Sequence, residues 1–305
     1  MTKILVTGYY GLGNIGDEAI LSGMITSLKK YIENSNISVV TNSPEETRAL
    51  HSITPVQQSF KKGIPRFIHK AIFDRELVNV KREIEKCDIF ILGGGSLLQD
   101  LRVHYLPILL SLVKLAQRCG KKTVIYGIGA GPIDTYFGQR ICRAVLNEAD
   151  LVTVRDSMSK NVLEKCGVRN VIRTADPAFG INIPTQDIID NYLKSMRLTN
   201  GEQYIATTAY NWLHDSDLFR NPAKGTHDLQ NRREIMANIF ESIVNKYDQE
   251  MLFVPTVKID GDGYTVIKDL MPSSEKARVL DYDTHFNAVF AALSRSNVLI
   301  GMRLH

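Results

Sequence analysis

The chain has 305 residues, and its 37 lysine and arginine residues against 33 aspartate and glutamate residues give a formal net charge of +4. This length favours two α/β domains, and contents of 44% hydrophobic and 23% charged residues exclude a disordered chain. The small positive charge does not by itself indicate a nucleic-acid partner; it suits anionic substrates or an anionic membrane surface.

Membrane spans, secretion signals and metal motifs are not indicated. The longest apolar run, Leu106–Val113, is about half the ~18 residues of a membrane span. Met1–Gly8 has the pattern of a first β-strand and not of a signal peptide. The four cysteines form no CxxC pair, which argues against a zinc site or a disulfide framework. We therefore expect a cytoplasmic protein.

Residues 1–180 alternate short β-branched runs with helical patterns, which predicts a parallel sheet covered on both faces. Helices are predicted at Asp17–Tyr31, with apolar residues on one face, and at Asp156–Cys166, followed by Gly167 as a C-terminal cap. The predicted strands are Lys3–Thr7, Ile37–Thr41, Asp88–Leu92, Thr123–Tyr126, Leu151–Arg155 and Val171–Arg173.

Residues 181–202 interrupt this rhythm and are interpreted as a linker with a short polar entry helix. Residues 203–305 are expected to form a smaller second α/β domain, with helices near 229–247 and 284–295. Its predicted strands are Tyr204–Thr208, Met251–Pro255, Arg278–Asp281 and Asn297–Ile300.

The first candidate ligand-binding turn contains Gly11, Gly13 and Gly16 in a GxGxxG spacing between a strand and a helix. Such a turn can bind an anion with its backbone N–H groups. A dinucleotide is disfavoured because the second strand ends without a carboxylate, and because Asp17 and Glu18 would repel a pyrophosphate. Two interpretations remain open: the acidic pair complements the helix dipole, or Asp17 acts as a base towards a cleft.

Two further glycine-rich turns follow predicted strands. Gly93–Gly95 precedes Ser96 and favours a ligand-facing loop, with close packing as the alternative. Gly127–Pro132 is consistent with an oxyanion nest of N–H groups or with a crowded turn, and the sequence favours neither.

Charged residues follow other strands. Asp156 is a good helix N-cap, whereas Arg155 either points into a cleft or pairs with a carboxylate such as Asp176. Arg303 and His305 follow the last predicted strand at a spacing that places both side chains on one face. Arginine binds phosphate or carboxylate with two prongs, and histidine is the usual general acid. We expect this pair to be functional.

A basic stretch lies between residues 66 and 82. A solvated helix face is the favoured interpretation, and contact with an anionic lipid or diphosphate surface is the alternative.

Six segments, in this order and over almost the whole chain, resemble the polysaccharide pyruvyl transferase family, in particular its cell-wall, CsaB-like type. Each motif alone is modest, but the ordered set is specific. The segments are Gly8–Leu21 (GYYGLGNIGDEAIL), Gly93–Asp100 (GGGSLLQD), Gly127–Pro132 (GIGAGP), Arg155–Ser159 (RDSMS), Asp176–Phe179 (DPAF) and Gly301–His305 (GMRLH).

The resemblance implies a GT-B-like α/β fold, in which two Rossmann-like domains with parallel sheets face a cleft. It places the acceptor side in residues 1–180 and the donor side in residues 203–305. It implies transfer of the enolpyruvyl unit of phosphoenolpyruvate onto a sugar as a cyclic pyruvate ketal, without a cofactor or a metal. The implied acceptor is N-acetylmannosamine on a lipid-linked cell-wall polysaccharide precursor, with peripheral contact at the inner membrane surface.

Carried over residue by residue, the resemblance makes Asp17, Arg303 and His305 the candidate catalytic residues. His305 is the expected acid towards the methylene carbon, Arg303 the expected cationic clamp and Asp17 the candidate base. The candidate substrate-binding residues are Gly13, Asn14, Gly16, Gly94, Gly95, Ser96, Gly129 and Arg155.

Family members usually continue past the RLH motif with a helix, a strand and a segment that carries a donor-site lysine. The second domain is therefore expected to be incomplete at its C-terminus. Two alternatives stay open: a glycosyltransferase of the same architecture that uses a nucleotide sugar, and a non-catalytic sugar- or lipid-binding relic.

Overall fold

The computed structural model describes residues 1–58, 75–101, 105–198, 203–209, 222–257, 260–282 and 286–302. The chain forms two compact units. The first comprises residues 1–12 and 16–182, and the second comprises residues 13–15 and 183–305.

The first unit contains a seven-stranded, fully parallel sheet with the strand order β3-β2-β1-β4-β5-β6-β7. Its central strands consist mostly of Ile, Val and Leu, because a parallel sheet is buried on both faces. The strands are β1 Thr2–Thr7, β2 Ser35–Thr41, β3 Thr54–Gln57, β4 Ile89–Gly93, β5 Lys122–Ile128, β6 Leu151–Val154 and β7 Val171–Arg173.

Helices cover both faces of this sheet. Along β1, Ile4 and Val6 pack with α1 on one face, whereas Leu5 belongs to the core on the other face, as the two-residue period of a strand requires. The helices are α1 Ile15–Tyr31, α2 Pro44–His51, α3 Arg75–Lys86, α4 Tyr105–Arg118, α5 Tyr136–Leu146 and α6 Ser157–Lys165, followed by a 3-10 turn at Pro177–Gly180.

The second unit contains a four-stranded parallel sheet with the order β10-β9-β8-β11. Its core combines aromatic and aliphatic side chains, including Phe240, Phe253 and Tyr264. The strands are β8 Tyr204–Thr208, β9 Glu250–Phe253, β10 Ala277–Val279 and β11 Val298–Gly301. The helices are α7 Gln186–Ser195, α8 Pro222–Tyr247, α9 Asp260–Asp269 and α10 Phe286–Ser294, with a 3-10 turn at Ser274–Lys276.

The predicted parallel α/β architecture is confirmed, with strand ends shifted by at most two residues. The sequence analysis missed β3, which contains Pro55 and lies at the sheet edge, where a missing N–H is tolerated. The predicted helix at 229–247 begins earlier, at Pro222. Within the described ranges, no helix is both long enough and apolar enough to cross a bilayer.

The order of the first sheet reverses direction between β1 and β4. The chain leaves β1 towards β2 on one side and leaves β4 towards β5 on the other. In open parallel sheets, ligands bind beyond the carboxyl ends of the strands at such a switch point. The turns after β1 and β4 are therefore the first place to look for a site.

Candidate active site

A group of five residues lies beyond the carboxyl ends of β1, β4, β6 and β7 of the first unit. Asp17 follows β1 on the first turn of α1, Gly95 and Ser96 follow β4, Arg155 follows β6, and Asp176 follows β7. We call these five residues the Asp17 cluster. The cluster brings together residues separated by up to 159 positions because the parallel topology places all these strand ends at one edge.

Asp17 is the buried acid of the cluster, with only 6% of its surface exposed. Its pKa is raised to about 7, mainly by burial; the charges of Glu18 and Asp176 also raise the pKa, and Arg155 lowers it. Among the described residues we find no hydrogen bond to its carboxylate. A buried carboxyl group that titrates near neutrality suits proton transfer.

Gly95 gives Asp17 its space. A Cβ atom at this position would lie 2.8 Å from Asp17 Oδ1, and the φ of Gly95 is +59°. Any side chain here would therefore push the carboxylate away and strain the backbone. Gly93 and Gly94 are packed as closely, against Met24 and Ile20 of α1. These contacts lie within the first unit, and the ligand-facing role predicted for Gly94, Gly95 and Ser96 stays a prediction.

Arg155 is buried and held in place. Its Nη1 donates to Asp176 Oδ2 at 3.0 Å and its Nη2 to Ser96 Oγ at 2.8 Å. Of the two predicted interpretations, the pairing with Asp176 is the one observed. Asp176 is itself fixed because its Oδ1 accepts from the N–H of Ala178. The predicted N-cap is confirmed as well, since Asp156 Oδ1 accepts from the N–H of Ser159.

Three N–H groups of the Gly127–Pro132 turn donate to other parts of the first unit. Gly129 donates to the carbonyl of Gly95, Ala130 to Ser159 Oγ and Gly131 to the carbonyl of Leu98. These bonds favour the crowded turn over the oxyanion nest. Gly129 stays a predicted substrate residue with one structural role, since a Cβ there would lie 2.8 Å from Ser96 Oγ.

The GxGxxG turn after β1 is also bonded internally at its first glycine. The N–H of Gly11 donates to Glu18 Oε1 at 2.8 Å, and its carbonyl accepts from Ser43 Oγ. Gly16 belongs to the first unit, whereas Gly13 and Asn14 belong to the second. The substrate roles of Gly13, Asn14 and Gly16 stay predictions.

Arg303 and His305 lie outside the described residues, as do Arg66, His69 and Lys70 of the basic stretch. In the described part of that stretch, Lys81 and Arg82 are exposed on α3. Lys81 lies 3.9 Å from Glu85. These two residues thus agree with the favoured interpretation of a solvated helix face.

His51 is the residue of interest that the sequence analysis missed. Its Nε2 lies 2.8 Å from Glu18 Oε2, and both side chains are buried. The two residues are 33 positions apart and on different helices, so no local spacing signals the pair. Within the described ranges, no group of three or more His, Cys, Asp or Glu side chains is arranged to hold a metal ion.

The second unit has its own buried acid beyond a strand end. Asp260 begins α9, is fully buried, and accepts from the N–H of Val257 at 3.1 Å and from Thr256 Oγ1 at 3.5 Å. It therefore serves the turn between β9 and α9.

Three comparisons of this chain with other proteins bear on the site. The family model described as polysaccharide pyruvyl transferase matches residues 14–305. The amylovoran biosynthesis protein AmsJ of Erwinia amylovora is 26% identical over 212 residues, which are 61% of this chain and 50% of that protein. The chain thus spans about half the length of this curated relative.

Among solved structures, UDP-GlcNAc 2-epimerase from Methanocaldococcus jannaschii has a TM-score of 0.60 and 14% identity, covering 99% of this chain and 79% of its own. The S. aureus MnaA–UDP co-structure has a TM-score of 0.62 and 13% identity, covering 100% of this chain and 74% of its own. A glycosyltransferase from Rickettsia africae has a TM-score of 0.56 and 10% identity, covering 98% of this chain and 72% of its own. At these identities the likeness shows the fold alone, which is GT-B-like as predicted.

The chain belongs to the polysaccharide pyruvyl transferase family, because the family model covers nearly all of it.

Proposed function

We propose that this member of the polysaccharide pyruvyl transferase family moves the enolpyruvyl unit of phosphoenolpyruvate onto a sugar and closes a cyclic pyruvate ketal. The observation that carries the proposal is Asp17, a buried carboxyl group with a pKa of about 7 beside Arg155, at the switch point of a sheet. Ketal formation needs a group that accepts a hydroxyl proton near neutral pH, and Asp17 has the required properties.

The proton balance defines the roles. The methylene carbon of phosphoenolpyruvate gains one proton, which leaves an oxocarbenium-like carbon for the first sugar hydroxyl. The second hydroxyl then attacks the same carbon, the C–O bond to phosphate breaks, and the phosphate carries away the second hydroxyl's proton. We assign the acid to His305 and the hydroxyl-directed base to Asp17.

The donor carries a phosphate and a carboxylate, so its binding needs cations. We assign the main clamp to Arg303. Arg155 is already bonded to Ser96 and Asp176, and we propose that it holds positive charge next to Asp17 while it contributes to the substrate site. The reaction as written needs no cofactor.

For the acceptor we propose N-acetylmannosamine on a lipid-linked polysaccharide precursor. The lipid link, though not the identity of the sugar, is supported by exposed apolar side chains that follow the carboxyl ends of β4 and β5. Leu101, Tyr136 and Phe137 are 68%, 72% and 61% exposed. The two segments are joined because Asp100 Oδ2 accepts from both the N–H and the hydroxyl of Thr135. Exposed aromatic residues beside Arg140, which donates to Tyr136, suit a membrane surface that presents a lipid-linked sugar.

The test incubates the protein with phosphoenolpyruvate and a lipid-linked disaccharide analogue. We expect release of inorganic phosphate together with a pyruvyl gain in the mass of the acceptor. The variants His305→Ala and Arg303→Ala should lose turnover while they keep the thermal midpoint of the parent. Near-normal turnover of either variant would contradict its assigned role.

The same assay separates the alternatives. Dependence on a nucleotide sugar, without phosphate release from phosphoenolpyruvate, would identify a glycosyltransferase. Acceptor binding without any turnover would identify a sugar- or lipid-binding protein.

A further inference from the structure

Glu18 directly follows Asp17 on α1, but its surroundings are different. It is 5% exposed, and both carboxylate oxygens have partners. Oε1 accepts from the N–H of Gly11 at 2.8 Å, and Oε2 lies 2.8 Å from His51 Nε2. Glu18 therefore ties α1 to the turn after β1 and to the end of α2.

The turn that Glu18 holds has little room to move. Gly11 has a φ of +70°, and a Cβ atom there would lie 2.3 Å from Thr41 Oγ1 and 2.5 Å from the backbone nitrogen of Ser43. Behind it, the hydroxyls of Thr41 and Thr47 are 2.7 Å apart. The turn is thus enclosed by β2 and α2, with the Glu18 carboxylate as its bond to α1.

We propose that Glu18 is a positioning residue for Asp17: clamped between Gly11 and His51, it fixes the turn that begins α1 and holds a second carboxylate beside the Asp17 carboxyl group. This inference rests on the proposed function, because it assigns Glu18 the task of setting the protonation of the candidate base. Nothing in its geometry places Glu18 in contact with substrate.

The charges that face Asp17 come from several elements. Glu18 contributes from α1, Arg155 from the segment after β6, and Asp176 from the segment after β7. The buried Tyr10 also interacts with Asp17, from the turn after β1. Gly95, after β4, adds no charge. Among these charges, Glu18 has the largest effect on the pKa of Asp17. Its contacts with Gly11 and His51 keep its side chain from rotating away.

The first experiment compares the pH dependence of kcat/KM for the parent chain and Glu18→Gln. The glutamine keeps an oxygen for the Gly11 N–H but removes the charge. We therefore expect the acidic limb of the profile to move to lower pH by about one unit, because a like charge next to Asp17 is gone. Glu46→Gln is the matched control, since Glu46 is exposed on α2, and it should leave the limb in place.

The second experiment does not depend on turnover. The thermal midpoint of the parent chain is compared with that of Asp17→Asn from pH 4 to pH 9. The same comparison is made between Glu18→Gln and the double variant that carries both substitutions. The difference between the two midpoints reports the ionisation of Asp17 in the folded protein. We expect the difference to develop at lower pH in the Glu18→Gln background.

The outcomes separate this inference from the proposed function. If the midpoint difference shifts as expected but no preparation releases phosphate, Glu18 sets the protonation of Asp17 and the proposed reaction is wrong. If phosphate is released but neither the limb nor the midpoint difference moves, the assignment of Glu18 is overturned. A purely structural role would lower the midpoint of Glu18→Gln equally at all pH values.

Discussion

Asp17 and Asp260 are both buried aspartates in the first turn of a helix that follows a β-strand, one in each unit. Asp260 accepts hydrogen bonds from Val257 and Thr256 of its own turn. For Asp17, the described residues provide no such bond, and burial raises its pKa to about 7. Both acids are buried, but only Asp260 has hydrogen-bond donors to its carboxylate among the described residues.

This difference distinguishes a structural acid from a candidate catalytic one. A buried carboxylate that accepts hydrogen bonds is stabilised in its charged form and fixes the backbone. A buried carboxylate without them keeps a proton that it can exchange with a ligand, at a cost to folding stability. The same substitution at the two positions should therefore have different effects.

The largest effect is expected on turnover. Asp17→Asn keeps the shape of the side chain but cannot accept a hydroxyl proton, so kcat for pyruvyl transfer should fall by about 10²–10⁴-fold. Asp260→Asn should stay close to the parent. Phosphate release under saturating phosphoenolpyruvate measures both, and equal losses for the two variants would remove the contrast.

The next effect is a gain of stability in Asp17→Asn at alkaline pH. Because the pKa of Asp17 is raised on folding, the folded state binds its proton more tightly than the unfolded state. Stability is therefore lost as the pH rises from about 4 to about 7, and this loss is absent in the asparagine variant. The gain should approach ~4 kcal/mol above pH 7 and vanish near pH 4. Thermal melts across this range test it, and a pH-independent difference would contradict the raised pKa.

A smaller loss of folding stability is expected when the side chain at position 260 can no longer accept hydrogen bonds. Asp260→Ala leaves the partly buried N–H of Val257 without this partner, which should lower the free energy of unfolding by about 1–3 kcal/mol. Asp260→Asn retains the accepting oxygen and should lose less than ~1 kcal/mol. Urea unfolding of the two variants measures this, and an equal loss for Ala and Asn would show that the charge, and not the hydrogen bond, matters.

The smallest effect on activity is expected from removing the hydroxyl group of Ser96 that accepts a hydrogen bond from Arg155. Ser96→Ala removes the hydrogen bond to Nη2 but leaves the 3.0 Å bond to Asp176. Because the bond to Asp176 remains, we expect kcat/KM to fall by less than ~10-fold. Ser157→Ala, which affects the exposed Arg173 in a comparable bond, is the matched control. A loss as large as that of Asp17→Asn would make Ser96 part of the chemistry.

The sequence predicted the architecture because β1 and β4 each contain a short apolar run (ILV and IFIL) that precedes a glycine-rich turn and alternates with helical patterns. β3 was not predicted because it has only four residues, one of which is Pro55. Its strand conformation depends on pairing with β2, which the sequence does not show. For Arg155 it named the correct partner, Asp176, since both follow neighbouring strands. The bond between Glu18 and His51 was not predicted, because only the folded chain brings the end of α2 close to the start of α1.

The pairing of β1 with β4 has a consequence for how the protein is made. Lys3 and Asp88 bond across 85 positions of chain, so Asp17 meets Gly95 only after β4 has been synthesised and has closed against β1. Closing a parallel pair over so long a loop is slow compared with forming local helices. During synthesis, Asp17 therefore leaves the ribosome before the segment that buries it, and the buried, near-neutral carboxyl group is a property that the chain acquires late.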